Sequence, residues 1–486
     1  MRCSDLSENK IKKEYSPEMK KLIKKLKGLG VIVVILAIVI GFSSYIENLK
    51  SDIGLPNNNS LLISDNKSDI VYGDNIYKTA SILGKYKSNK NGFNIVGTSA
   101  DNEKAFAIVD MFNEIGLKNV ETISVPMNGW NLTDVSMTFE CNCNDKGTMT
   151  FSSFGVYPCN FRFLSNSVEV VYIGSSTNVD NYNVEGHGVI VGDDENLEEL
   201  VSKLQSKGAK FLMYSQDRDL GSSHYVDLSF NFPTNFPVFV ISASNLALIQ
   251  QEFEVGVDKL VTLAGSSTLM DEVNGLFVKG EIVGKDKNKC ITVMAYRDSI
   301  SYGFQESNVT VAELIEIAKV LVNENYTPKY TIKFIVGTGS KWGSILDGKY
   351  AGLRKYLEKN NPKNIKSVLL LDGNKSLPDV YLMQTAVTGN NKSVKNAITK
   401  FNNEYKKVHN EINTEIIETT AKELDARIWE EYKVPVITAV EPFGSTYSMY
   451  KGSDCDSAAL DVDRDVEQFK IPYYVALLKQ LDIINY

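Results

Sequence analysis

The residues best suited to chemistry lie between Lys279 and Leu321, where the chain reads KGEIVGKDKNKCITVMAYRDSISYGFQESNVTVAELIEIAKVL. An apolar, β-rich run, Ile291-Thr292-Val293-Met294-Ala295, ends in the polar cluster Tyr296-Arg297-Asp298-Ser299. A carboxylate set there can pair with a cation or move a proton. A loop with Gly303 follows, and Thr310 and Glu313 have the spacing of a capping box. Val311, Leu314, Ile315, Ala318 and Leu321 then form a helical stripe. A strand that delivers polar side chains into a loop before a helix is where open α/β sheets place their sites. The pattern locates a site without naming its reaction.

The elements that must position this cluster come from a chain of 486 residues, 43% of them hydrophobic. That is room for about two to four domains with large cores. The net charge of −8 lacks the basic footprint of a nucleic-acid binder. Residues 1–27 are basic and polar, and no charge occurs from Gly28 to Ile46, whose centre is VIVVILAIVI. About 19 such residues span a hydrocarbon core as a helix. Because the lysines precede the span, the N-terminus is expected in the cytoplasm and the rest outside. An uncleaved signal anchor fits better than a signal peptide, since the basic region is long and no A-x-A-like site follows Phe42. Residues 47–74, rich in Asn, Ser and Asp, read as a linker.

Beyond it, a helix through Tyr77, Ala80, Ile82 and Leu83 is expected, then a second over about Asp101–Ile115 with Phe106, Val109, Phe112 and Ile115 on one face. Short strands occupy 131–270, among them Ser136–Phe139, Val168–Ile173 and Gly188–Val191, with helices through Leu197–Leu204 and through Leu246 and Ile249. After the central stretch, strands are expected at Tyr330–Val336, Lys366–Asp372 and Val434–Ala439, and helices around Tyr350–Leu357, Val394–Val408 and Val462–Leu481. Strands alternating with helices imply a mostly parallel sheet flanked by helices, an α/β fold.

The frame Ala295-Tyr296-Arg297-Asp298-Ser299, followed by Gly303-Phe304-Gln305-Glu306-Ser307-Asn308, resembles the zinc aminopeptidases of the M28 type. In that family a His-x-Asp triplet ends an apolar strand and Asp-Asn-x-x-Gly opens a helix. The resemblance puts Tyr296 where the family has a metal-binding His, Asp298 at the triplet's Asp, and Glu306 at the bridging Asp. It matches Asp372, in Leu370-Leu371-Asp372-Gly373, to a further ligand. The final His corresponds to Lys451, in Tyr450-Lys451-Gly452-Ser453-Asp454. The family's Glu-Glu pair, ligand and base, corresponds to Gly337-Thr338-Gly339-Ser340-Lys341, and no carboxylate occurs between Phe334 and Asp347. A neutral phenol and an ammonium are poor substitutes for imidazole at zinc. The order of motifs through 131–270 resembles a protease-associated (PA) domain, which several such peptidases insert there.

These readings give a basic tail (1–27), a transmembrane anchor (28–46), a linker (47–74), an aminopeptidase-like domain in two parts (75–130 and 271–486) and an inserted β-rich PA-like lobe (131–270). The expected function is a membrane-anchored ectodomain without zinc ligands or catalytic base, with no metal or cofactor, serving as a binding or scaffold module for a protein or peptide. Its expected place is the plasma membrane, with the bulk of the chain outside. The alternatives are an active metallo-aminopeptidase with relocated ligands, or an envelope protein that meets its partner through the PA-like surface. Tyr296, Asp298, Glu306, Asp372 and Lys451 are the expected cleft, with Lys451 in the metal's cationic role. His187, His224 and His409 fall outside every motif. Of the six cysteines, Cys141, Cys143 and Cys159 are close enough for one disulfide and fit equally as free thiols.

Overall fold

In a computed structural model the chain is described over residues 72–486, apart from 142–147, 152–153, 175, 193–195, 216–231, 254–258, 342–349, 372–381, 388–390, 410–412, 418–425, 441–463 and 485. Helix α1, Tyr72–Leu83, begins within the stretch expected to be linker and buries Ile76, Ala80 and Leu83 at helical spacing. Helix α2, Ser99–Glu114, starts at Thr98, whose side chain accepts a hydrogen bond from the Asp101 amide. Its buried residues are Asp101, Lys104, Ala105, Ile108 and Phe112; of the apolar stripe expected from the sequence, Val109, Phe112 and Ile115 pack into the core and Phe106 does not. Phe106 stands 53% exposed. Asp101 and Lys104 are buried beside that stripe because they have partners across the fold, described below.

The next elements are β1 (Lys118–Leu132), β2 (Ser136–Cys141), β3 (Thr148–Thr150), β4 (Gly155–Val156), β5 (Phe161–Gly174), β6 (Gly188–Val191), α3 (Leu197–Ser206), β7 (Phe211–Tyr214), β8 (Val238–Val240), α4 (Ala243–Phe253) and β9 (Lys259–Ile282). β6 and β7 are buried at every residue, as parallel strands covered on both faces must be. β6, β7 and β8 run parallel. β5 joins them to the rest: its first part pairs antiparallel with β9 and its end lies parallel to β6.

The remaining elements are β10 (Asp286–Tyr296), α5 (Thr310–Asn323), β11 (Tyr330–Gly337), α6 (Ala351–Lys359), β12 (Ile365–Leu370), β13 (Leu382–Val387), α7 (Lys392–Val408), β14 (Asn413–Ile417), α8 (Ala426–Glu431), β15 (Val436–Val440) and α9 (Arg464–Ile483). The strand order is β14-β13-β15-β12-β10-β11-β9-β5-β6-β7-β8-β4. β10 lies between β11 and β12, parallel to both, while β9 and β13 enter antiparallel, so the sheet is mixed. Alternation along β10 feeds two cores. Met294 and Tyr296 join Ile335, Leu370 and the α6 residues Leu353 and Tyr356. Ile291, Val293 and Ala295 join Phe334, Val336 and the apolar faces of α1, α2, α5 and α9.

The capping box expected at Thr310 and Glu313 does not form. A π-helical turn, Phe304–Val309, precedes α5, so Thr310 already has helical backbone. Its hydroxyl donates back to the Ser307 carbonyl at 2.9 Å, and Glu313 instead meets Lys470 of α9. Among the described residues no helix is long and apolar enough to cross a membrane; the stretch 28–46 lies outside them.

Candidate functional site

Tyr296, the last residue of β10, stands in register with Gly337, the last of β11, and its ring is buried in the core. Arg297 follows on the opposite face and is wholly buried. Its Nε lies 2.9 Å from Asp101 Oδ1, its Nη2 donates to Asp101 Oδ2 at 2.9 Å, and its Nη1 donates to the Leu276 carbonyl at 2.5 Å. Lys104, one turn on from Asp101, donates to the Arg297 carbonyl at 2.9 Å and to Asn308 Oδ1 at 2.6 Å. Burial pushes the Lys104 amino group down to about 7, against the pull of Asp101 in the other direction. These contacts pin the backbone at the end of β10 to α2 and to the π-helical turn.

Asp298 is completely buried and aimed at the loop after β11. Its Oδ1 accepts from the Ser340 hydroxyl at 2.9 Å and its Oδ2 from the Lys341 amide at 2.7 Å. Burial raises the Asp298 carboxyl above its usual range, and the Lys341 amide, the Lys341 charge and the Ser340 hydroxyl pull it back. Glu306, in the π-helical turn, accepts the Lys341 ammonium at 2.8 Å. Gly303 makes the turn possible. It has a left-handed φ of 51°, and a Cβ there would sit 2.1 Å from Ser299 Cβ. The Ser307 hydroxyl donates to the Asp298 carbonyl at 2.8 Å and closes the loop on itself.

Asp298 and Glu306 thus share Lys341 at the carboxyl ends of β10 and β11, while Tyr296 ends β10 with its ring in the core. Asp372 and Lys451 lie outside the described residues, although the preceding Leu371 is placed, its amide donating to the Met294 carbonyl at 2.8 Å. Sequence reasoning assigned the cleft's positive charge to Lys451 and overlooked Lys341, which reaches both carboxylates. A signal was present, since Lys341 is the only charged residue between Phe334 and Asp347. The roles of Asp101 and Lys104 left no such mark, because their partners lie far along the chain. His187 is bonded locally, its Nδ1 2.8 Å from the Glu185 carbonyl, and His224 lies outside the described residues. Cys159 is a buried free thiol, pushed up to about 12 by burial.

Residues 278–464 match peptidase family M28, a span that holds β10, the loop, β11 and β12. No curated protein sequence matches the chain. Solved structures share the fold. A zinc aminopeptidase from Bacillus subtilis aligns with a TM-score of 0.59 at 16% identity, covering 85% of this chain and 98% of that one. A peptidase M28 precursor from Shewanella amazonensis aligns at 0.59 and 14% identity, over 84% and 93%. An aminopeptidase from Aneurinibacillus sp. strain AM-1 aligns at 0.53 and 13% identity, over 85% and 94%. The sheet and its helices therefore have the architecture of M28 aminopeptidases.

The zinc that such peptidases imply does not fit the described residues of this cleft. Catalytic zinc takes imidazole, thiolate and carboxylate ligands with one position left open. Here a phenol stands at the strand end, both oxygens of Asp298 are engaged by the chain, and an ammonium lies against Glu306. Among the described residues no group of three or more His, Cys, Asp and Glu side chains could hold a metal ion.

Proposed function

We propose that the chain is a non-catalytic, membrane-anchored binding protein built on the M28 aminopeptidase fold. The observation that carries this reading is the Lys341–Glu306 ion pair beside Asp298, which turns the cleft carboxylates toward donors of the chain itself. Peptide hydrolysis at such a cleft needs an activated water and a base placed to take its proton. A buried phenol and an ion-paired ammonium offer neither. In this reading residues 28–46 span the plasma membrane with the lysine-rich tail inside, 131–270 form a PA-like lobe, and the partner is a protein or peptide outside the cell. The test is zinc content by elemental analysis together with turnover of aminoacyl-nitroanilides by the purified full chain. Neither stoichiometric zinc nor turnover is expected, and activity abolished by a chelator would overturn the reading.

A further inference from the structure

We propose that the amino-terminal edge of the parallel strands, at the far end of the sheet from the cleft, docks an extended phosphate polymer. The inference goes beyond the proposed function and depends on neither the anchor nor the state of the cleft. Five neighbouring strands, in the order β15-β12-β10-β11-β9, meet at this edge, β9 running against the other four. Each brings lysine to it. Lys285 follows β9, and its amide donates to the Pro328 carbonyl at 3.0 Å, which sets it beside Lys329 at the start of β11. β10 is in register with β11 at Asp286 and next at Cys290, so Lys287, Asn288 and Lys289 bulge out of the ladder and are exposed. The Lys289 and Lys329 ammonium groups lie 5.8 and 4.6 Å from the ring centre of Tyr330, so one buried ring steadies both. Lys363 lies in the turn ahead of β12, which is held to β10 by the Cys290 thiol donating to the Asn364 carbonyl at 3.7 Å. Lys366 is the second residue of β12, and Lys433 stands just ahead of β15.

Charge and shape select the partner. Stretches 283–289, 327–330, 361–366 and 432–435 hold seven lysines and one carboxylate, Asp286, in a chain whose net charge is −8. A field gathered in this way against the trend of the chain draws a dense counter-charge to it. On the two faces beside the strip the charges are already matched: Glu324, just beyond α5, lies 2.6 Å from Lys479, and Glu431 of α8 pairs with Arg354. The surplus is therefore one sheet thick, and five strands at the usual spacing make it roughly 19 Å long. Such a strip follows a thread better than a plane or a globular acidic face. No arginine occurs in it. Lysine is a compact point charge without the planar fork that reads carboxylate geometry, so it responds to charge density, which closely spaced phosphates supply.

The experiment is lysine footprinting. The purified full chain is briefly acetylated with and without long-chain inorganic polyphosphate, and each lysine is read singly by mass spectrometry, so attraction of the polymer to the basic tail at 1–27 does not enter the result. Protection of roughly threefold or more is expected at Lys285, Lys287, Lys363 and Lys433. It should vanish near 1 M NaCl, where screening cuts the reach of charges to about 3 Å. Lys210, exposed ahead of β7 and three strands beyond β9, should stay unprotected. Lys287→Glu/Lys363→Glu should abolish protection of Lys285 and Lys433 with Tm unchanged, and Lys287→Arg/Lys363→Arg should keep it. No protection of the strip, equal protection of Lys210, protection that survives the glutamate pair, or equal protection by poly-glutamate overturns the inference; the last would mark a docking face for an acidic protein. If the glutamate pair does not fold, the wild-type footprint and its salt dependence decide.

Discussion

Arg297 and Asp101, 196 residues apart in the chain, meet as a fully buried ion pair in which Nε lies 2.9 Å from Oδ1. The pair ties α2 to the end of β10 directly behind the cleft. The Lys104 hydrogen bonds to the Arg297 carbonyl and to Asn308 extend the tie into the π-helical turn. The geometry of Asp298 and Glu306 thus depends on a helix that begins near the start of the described chain.

Asp101→Ala should leave the Arg297 guanidinium buried and unpaired, at a cost of about 3–5 kcal/mol. Urea titration of the variant should show a lower midpoint with an unchanged slope. Asp101→Leu/Arg297→Met, which removes both charges, should cost less than the single change. A double variant worse than Asp101→Ala would contradict the pairing.

Lys470 of α9 contacts Glu313 of α5 and lies 3.0 Å from Glu467, one turn earlier on its own helix. Burial raises Glu467 from 4.5 to about 8, with Lys470 pulling it down and Glu313 pushing it up. A carboxyl whose folded pKa exceeds its unfolded value keeps its proton longer in the native state. Its contribution to stability is full below about 4.5 and is lost as pH rises through about 8. Glu467→Gln should therefore flatten the fall in stability over that window, by an amount on the order of a few kcal/mol. Denaturation midpoints at several pH values would check it; parallel profiles for variant and wild type would refute it.

Gly303→Ala should disturb the loop that carries Glu306, because a Cβ would collide with Ser299 in a left-handed conformation. A loss of about 1–3 kcal/mol is expected, measured by calorimetry. Gly186 has a similar left-handed φ, but a Cβ there meets nothing within 4 Å. Gly186→Ala should therefore cost less than Gly303→Ala.

Tyr296→His should leave aminoacyl-nitroanilide turnover undetectable. One imidazole restores neither a base nor a second metal ligand after β11, where Ser340 and Lys341 bind Asp298 instead. Turnover appearing in the single variant would show that the cleft needs only one change to become an active site.

Protease applied to intact cells should remove the chain beyond about residue 43 and spare the lysine-rich tail, as the positive-inside pattern requires. An N-terminal epitope lost together with the rest would contradict the anchor.

Local pattern carried the strand–loop–helix frame well. The Gly188–Val191 run and the Ile291–Ala295 run are apolar at every or nearly every position, and such stretches have few destinations other than a buried strand. The burial of Asp101 and Lys104 on α2 was not legible, because their contacts, Asp101 to Arg297 and Lys104 to Asn308, join residues about 200 positions apart. The capping box failed for a related reason. Its spacing was right, but the π-helical turn moved Thr310 into helical backbone and α9 claimed Glu313. Lys341 was readable only as a lone charge; that it would tie two carboxylates needed the register of β10 with β11.

β9 is 24 residues long, a ribbon of roughly 80 Å at the usual rise per residue. It is hydrogen-bonded to β5 near one end and to β11 near the other. A strand shared in this way couples the β5–β8 region to β11. A load applied to that region by a bound partner would reach β11, and the loop bearing Lys341, as twist along a single beam.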